Sequence, residues 1–134
     1  MKVVYDTCIY IDFLRSGQHQ DLFTSRDQIR YLSAVVMMEL LSGARTPEHR
    51  RALDRLFLPY SKAHRLISLD VNHFYKAGDC LSHLRAKKND IHLGLSHDVM
   101  IAISALSVGA TLYTSNSKDF IRIQELLPVK TEYL

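Results

Sequence analysis

Short apolar runs alternate with amphipathic stretches along the chain. The run Val3-Val4-Tyr5 predicts a buried strand over residues 2–5, because its apolar residues are not interrupted by polar ones. Similar runs predict strands over residues 29–32, 64–69, 110–113 and 129–133. Apolar residues at helical spacing predict helices over residues 8–15, 35–42, 47–59, 71–87, 96–108 and 119–127, with a short helix near 19–26.

Residues with capping chemistry mark the starts of several of these helices. Ser33 and Asp70 are expected to cap the helices that follow them. Thr46 followed by Pro47 is typical of an N-cap and a first helical position. The long helix that follows residue 70 has a predicted buried face made of Val71, Phe74, Ala77, Leu81 and Leu84.

The order of these elements predicts an α/β fold with a mainly parallel sheet flanked by helices on both faces. Strands that are apolar throughout are typical of parallel sheets, which helices cover on both sides. Ligands of such sheets bind beyond the carboxyl ends of the strands. Functional side chains are therefore expected along that edge. A length of 134 residues fits a single domain over residues 1–134.

Composition and charge indicate a soluble globular protein with a small excess of positive charge. Apolar residues make up 47% of the chain, charged residues make up 23%, and the net charge is +3. Basic residues cluster at 49–51, 62–65 and 85–88, which suits a polyanionic partner and equally a solvated surface. No signal peptide or membrane span is visible. Cys8 and Cys80 lack metal or redox spacing, so they are expected to be buried thiols in the reducing cytoplasm.

Three carboxylates occupy positions where apolar residues would be expected. Asp6 ends the first strand, Glu39 lies inside an apolar helical stretch, and Asp98 opens another apolar helix. An ionised carboxylate is almost never buried alone, because its desolvation is costly. The three acids are therefore expected to converge on a shared cation. Oxygen ligands suit a hard ion such as Mg²⁺ or Mn²⁺.

The segments that contain these acids carry a resemblance to a known family. They are Val3-Val4-Tyr5-Asp6-Thr7-Cys8-Ile9-Tyr10-Ile11, Glu39-Leu40-Leu41-Ser42-Gly43-Ala44, and Asp98-Val99-Met100-Ile101-Ala102 with Thr114-Ser115-Asn116-Ser117-Lys118-Asp119-Phe120. Together they resemble the PIN domain and, within it, the VapC toxins of toxin–antitoxin pairs. The resemblance covers the whole chain. It implies a metal-dependent endoribonuclease that hydrolyses phosphodiester bonds in single-stranded regions of RNA.

The resemblance also implies a catalytic, metal-binding set of four acids, of which Asp6, Glu39 and Asp98 are three. Asp6 and Asp98 are assigned to direct contact with Mg²⁺ or Mn²⁺, and Glu39 to a second ion or to the attacking water. The fourth position falls after the fourth strand, where Asn116 stands in place of an acid and Asp119 follows three residues later. Asp119 is the favoured ligand because an amide oxygen carries no charge. The alternative is that Asp119 caps the short helix that follows.

The partners implied by the resemblance are RNA, a second copy of the chain in a homodimer, and a small VapB-like antitoxin that blocks the acidic cleft. Two other functions stay open. A catalytically defective PIN-like module, which Asn116 would explain, would bind RNA or a partner without cutting. An aspartate-based phosphatase or phosphotransfer domain also uses an acid after its first strand. Against it, Asp6 lacks a second acid two residues later, and Glu39 would have no role.

Polar residues beside the acids have ordinary structural explanations. Thr7, Thr114 and Ser115 carry hydroxyls that would orient the acids or cap turns. His97 has no histidine partner four residues away, which argues against a zinc site. We expect His97 to cap its helix or to contact solvent.

Overall fold

A computed structural model describes residues 1–88 and 92–134. The strands are β1 (Lys2–Tyr5), β2 (Ile29–Ser33), β3 (Leu66–Ile67), β4 (Thr111–Thr114) and β5 (Thr131–Tyr133). The helices are α1 (Thr7–Ser16), α2 (Gln20–Thr24), α3 (Ala34–Ser42), α4 (Pro47–Lys62), α5 (Val71–Lys88), α6 (Leu93–Val108) and α7 (Ser117–Gln124). The strands form one sheet in the order β3-β2-β1-β4-β5, and every neighbouring pair is parallel. The predicted parallel α/β fold is confirmed.

The helices cover both faces of this sheet. The strand order reverses at β1, since β2 and β3 lie on one side of it and β4 and β5 on the other. Right-handed crossovers, the rule for parallel strands, assign α1 to α4 to one face and α5 to α7 to the opposite face. Within these layers α3 contacts α1 and α4, and α6 contacts α5 and α7, while α3 and α6 also contact each other. The central strand β1 buries Val3 and Val4 completely between the two layers.

The carboxyl ends of the strands meet at one edge of the sheet. Tyr5 of β1 pairs in register with Tyr113 of β4, so the residues that follow these two strands are neighbours. The backbone N–H of Asp6 continues the pairing by donating to the carbonyl of Tyr113 at 2.9 Å. On the other side of β1, strand β2 ends at Ser33, whose hydroxyl caps α3 by accepting from the N–H of Val35 at 3.2 Å. Three chain segments therefore leave the sheet side by side.

Two predicted elements on the first face end differently in the structure. Helix α4 continues through Pro59, where it was predicted to stop, and ends at Lys62. Its last turn is held by Tyr60, whose hydroxyl lies 2.9 Å from that of the buried Tyr10. Strand β3 is much shorter than the predicted 64–69. His64 has a left-handed φ of 55°, which is incompatible with extended strand geometry.

Two helices near the carboxyl edge also begin earlier than predicted. Helix α6 starts at Leu93, because Nδ1 of His92 accepts the N–H of Leu95 at 3.0 Å and caps it there. Helix α7 starts at Ser117, because Asn116 takes the N-cap position. In both cases a side chain upstream of the predicted start satisfies the free N–H groups of the first turn.

The buried face of α5 is narrower than its sequence pattern predicts. Ala77 and Leu84 are buried and Leu81 is half-buried, but Val71 and Phe74 are 84% and 56% exposed. The helix packs mainly against α6 and α7, so it lies at the outside of its layer. A helix in that position needs a smaller apolar stripe than one that packs directly on a sheet.

The surface carries the charged clusters that the sequence contains. Arg50 and Arg51 are exposed, and they pair with Asp54 and Glu48 of the same helix. This cluster is therefore partly neutralised by its own helix. The side chains of residues 87 and 88, which complete the cluster at 85–88, lie outside the described residues. None of the helices in the described part of the chain is long and apolar enough to cross a bilayer.

Candidate active site

Asp6 directly follows β1 and lies beside the end of β4, and both of its carboxylate oxygens accept hydrogen bonds. As the N-cap of α1, it accepts the N–H of Thr7 on Oδ1 at 2.8 Å. Its Oδ2 accepts the hydroxyl of Thr114 at 2.7 Å and the thiol of Cys8 at 3.5 Å. Burial raises the pKa of Asp6, and these hydrogen bonds oppose the increase. The carboxylate is thus held in one orientation at the edge of the sheet.

Glu39 reaches the same edge from α3. Its Oε1 accepts the hydroxyl of Thr7 at 2.6 Å, and its Oε2 lies 3.1 Å from Nδ1 of His97. The side chain of Glu39 is 26% exposed, so it is the most accessible acid of the group. Thr7 therefore connects Asp6 and Glu39 through its N–H and its hydroxyl.

Asp98 lies in α6 and faces the other acids. Burial, followed by the neighbouring carboxylates Asp6, Asp119 and Glu39 in that order, raises its pKa from 3.8 to about 8. The amide nitrogen of Asn116 donates to Oδ2 of Asp98 at 3.1 Å. The structure thus brings Asp98 into one electrostatic cluster with the other three acids.

Asn116 and Asp119 occupy different roles in the turn after β4. The side-chain oxygen of Asn116 faces the N–H of Asp119 at 3.5 Å and caps α7. Its amide nitrogen donates to Asp98 and, at 3.3 Å, to Oδ2 of Asp119. The alternative that Asp119 caps this helix is therefore wrong, because Asn116 does so. Asp119 is buried in the first turn and presents a carboxylate to Asp98.

Two basic side chains lie beside the carboxylate of Asp119. Nε2 of His92 lies 3.7 Å from its Oδ2, and Nη1 of Arg122 lies 3.9 Å from its Oδ1. The guanidinium of Arg122 offsets part of the negative charge of the cluster. Both contacts give Asp119 a structural role in addition to any role as a ligand.

Sequence reasoning missed two residues of the site. His97 was expected to cap its helix or to contact solvent, but it contacts Glu39 and is only 18% exposed. Cys8 was expected to be a buried apolar thiol, but it is half-buried and lies beside Asp6. Ser115 does not orient an acid either, since its hydroxyl donates to the sulfur of Cys8 at 3.2 Å. No local pattern signals the contacts of His97 with Glu39 and of Ser115 with Cys8, because each joins residues from separate elements. The contact of Cys8 with Asp6 spans only two residues of the chain.

The donor set suits a hard divalent cation. Within residues 1–88 and 92–134, no group of three or more His, Cys, Asp or Glu side chains is arranged so that it could hold a metal ion. Mg²⁺ does not need such a group, since it keeps several waters and binds through one or two carboxylates. The pKa of Asp98 is raised by burial and then by repulsion from the neighbouring carboxylates, and a bound cation would relieve that repulsion. The open arrangement of carboxylates therefore fits this chemistry.

Comparisons with known proteins give consistent results. The PIN domain family matches residues 3–126. The chain is similar to a protein named Ribonuclease VapC from Rickettsia bellii, with 30% identity over 94% of this chain and 93% of that protein. It is 31% identical to Ribonuclease VapC1 from Rickettsia felis over the same shares of the two chains. The structure of VapBC-1 from nontypeable Haemophilus influenzae shares the fold, with a TM-score of 0.73, 22% identity, and coverage of 99% of this chain and 98% of that one.

Proposed function

The chain belongs to the PIN-domain family, and on that premise we propose that it is a toxin endoribonuclease that cuts single-stranded regions of RNA with Mg²⁺ or Mn²⁺. PIN-domain nucleases depend on divalent metal ions. The observation that carries the proposal is the convergence of Asp6, Glu39, Asp98 and Asp119 at one edge of the sheet. Gathering four acids at one edge destabilises the metal-free fold by mutual repulsion, a cost that a bound cation would offset.

In the proposed mechanism, each acid has a defined task. Asp6, Asp98 and Asp119 would hold the metal, which when bound activates water and offsets charge on the phosphate. Glu39 is accessible enough to accept a proton from the attacking water or to contact a second ion. The amide of Asn116 keeps Asp98 and Asp119 together, since it donates to both.

Cleavage of single-stranded RNA is the direct test of this function. The purified protein, freed of any partner, is expected to cut a labelled RNA in Mg²⁺ or Mn²⁺, to stop in EDTA, and to recover when metal is added back. Rising salt should slow cleavage. Basic residues that bind RNA phosphates release counterions, and binding of this kind weakens as the salt concentration increases. A small phosphate ester serves as the control substrate. Phosphate release from that ester, or full RNA cleavage in EDTA, would contradict the proposal and favour other chemistry.

The fourth ligand is proposed to be Asp119 rather than Asn116. Asp119→Asn is expected to raise the metal concentration for half-maximal cleavage roughly 10-fold. Substitutions around a metal site typically lower metal affinity by at least that factor. Asn116→Ala should change that concentration less, but it should destabilise the fold by ~0.5–2 kcal/mol because α7 loses its cap. Metal titration and thermal melting of both variants separate the two effects. An Asp119→Asn protein with lower stability and unchanged metal dependence would leave Asp6, Glu39 and Asp98 as the whole site.

We further propose a homodimer and an inhibitory partner that act in the cytoplasm. The similar structure from Haemophilus influenzae is described as VapBC-1, and by analogy a small VapB-like antitoxin would block the acidic cleft of this chain. The two free cysteines, Cys8 and Cys80, suit a reducing compartment. Light scattering should give twice the chain mass at micromolar concentration, and a small protein encoded beside this one should stop RNA cleavage. A monomer at that concentration, or no inhibition by neighbouring gene products, would contradict these proposals.

A further inference from the structure

Glu39 is held by two donors that come from two different helices. The hydroxyl of Thr7, in the first turn of α1, lies 2.6 Å from Oε1. Nδ1 of His97, near the start of α6, lies 3.1 Å from Oε2. Each oxygen of the carboxylate therefore has its own donor. This arrangement fixes both the position and the rotation of the carboxylate plane.

The contact with His97 also links Glu39 to another member of the acidic cluster. His97 directly precedes Asp98 in α6, and Glu39 belongs to α3, which packs against α6. A hydrogen bond from His97 to Glu39 therefore sets the distance between two helices that each carry an acid of the site. Since the nearby carboxylates repel one another, Glu39 would otherwise turn toward solvent, to which 26% of its side chain is already exposed.

We propose that His97 is a positioning residue that holds the carboxylate of Glu39 beside Asp98 for metal binding and RNA hydrolysis. The inference rests on the proposed function of the acidic cluster. His97 contacts a carboxylate oxygen of Glu39 through Nδ1. Hydrogen bonds of this kind, made to a ligand rather than to the metal, orient the ligands of metal sites. His97 itself is assigned no contact with metal or RNA.

Two substitutions at His97 separate positioning from other roles. His97→Ala removes the donor, whereas His97→Asn keeps a nitrogen donor at nearly the position of Nδ1. His83→Ala is the matched control, since His83 is exposed on α5 and its ring contacts a carboxylate of the same helix, that of Asp79. Two quantities are measured for each full-length protein: binding of Mn²⁺ alone, from the electron paramagnetic resonance signal of free ion, and kcat and KM for a single-stranded RNA.

Positioning by His97 predicts a specific pattern of results. His97→Ala should weaken Mn²⁺ binding and lower kcat about 10- to 100-fold, with KM for RNA changed less than about 3-fold. His97→Asn should recover both quantities to within about 3-fold of the unaltered protein, because it restores the donor. His83→Ala should behave as the unaltered protein does.

Other patterns would overturn the inference in distinguishable ways. If His97→Asn were as slow as His97→Ala while both bound Mn²⁺ normally, His97 would act in proton transfer rather than in positioning. If His97→Ala changed neither quantity, the contact with Glu39 would have no functional part. If the unaltered protein neither bound Mn²⁺ nor cut RNA, the proposed function itself would fail, and the positioning role with it.

Discussion

Asp98→Asn is expected to reduce RNA cleavage by about 10³-fold or more, because it removes a charged ligand at the centre of the acidic cluster. A metal stabilises the charge of the transition state by several kcal/mol. Each 1.36 kcal/mol of activation free energy changes the rate about tenfold. The substitution keeps the shape of the side chain. The amide of Asn116 can still donate to the remaining oxygen, so the fold should be retained.

Asp6→Asn is expected to have an effect of the same size. Asparagine is also a good N-cap, so the first turn of α1 should survive the change. Asp54→Asn is the matched control, since Asp54 is an exposed acid on α4 that pairs with Arg50. Initial cleavage rates at saturating Mg²⁺, with circular dichroism to verify folding, provide the measurement. Substantial activity in either Asp98→Asn or Asp6→Asn would refute the assignment of that residue to the metal.

The metal-free protein is expected to lose stability as the pH rises toward 8. The pKa of Asp98 is raised from 3.8 to about 8, mainly by burial and then by Asp6, Asp119 and Glu39. At pH values between 3.8 and about 8, Asp98 keeps a proton in the folded protein, whereas the same side chain in the unfolded chain has released it. The free energy of unfolding therefore falls with pH across this range and stays low above it.

The size of this loss is on the order of a few kcal/mol, equivalent to a fall of about 5–10 °C in melting temperature. Asp98→Asn should flatten the pH dependence and raise the melting temperature at pH 8, because the neutral amide carries no such cost. Saturating Mg²⁺ should stabilise the unaltered protein most at the highest pH, where the carboxylates are ionised. Melting curves in EDTA from pH 5 to 8 test this. An Asp98→Asn curve parallel to that of the unaltered protein would show that this carboxyl is not the titrating group.

The expected stability changes also bear on the two alternative functions. A catalytically defective binding module would show the same pH dependence of stability, since that depends only on the clustering of the acids, but it would not cut RNA. An aspartate-based phosphatase would release phosphate from a small ester rather than cut RNA. The combination of rate and stability measurements therefore separates catalysis from binding.

Much of the fold could be predicted from local pattern. Apolar strands without alternation are compatible only with a sheet covered on both faces, so the parallel α/β class followed directly. Ser33 and Thr46 cap the helices for which they were predicted, because capping depends on neighbours within three residues. Helix ends that depend on distant contacts were predicted less well. Tyr60 keeps α4 helical beyond Pro59 through a contact with Tyr10, fifty residues earlier in the chain.

The acids themselves could also be found from the sequence, since a carboxylate on an apolar element is costly unless something pairs with it. Their assignment to a metal stays a prediction. What the sequence by itself determined was which acids lie on apolar elements and at which edge of the sheet functional side chains were expected. The tertiary structure alone decided how they are held. It placed His97 against Glu39, and it turned the amide of Asn116 toward both Asp98 and Asp119. These contacts depend on how α3, α6 and α7 pack at the sheet edge, and local periodicity carries no information about that packing.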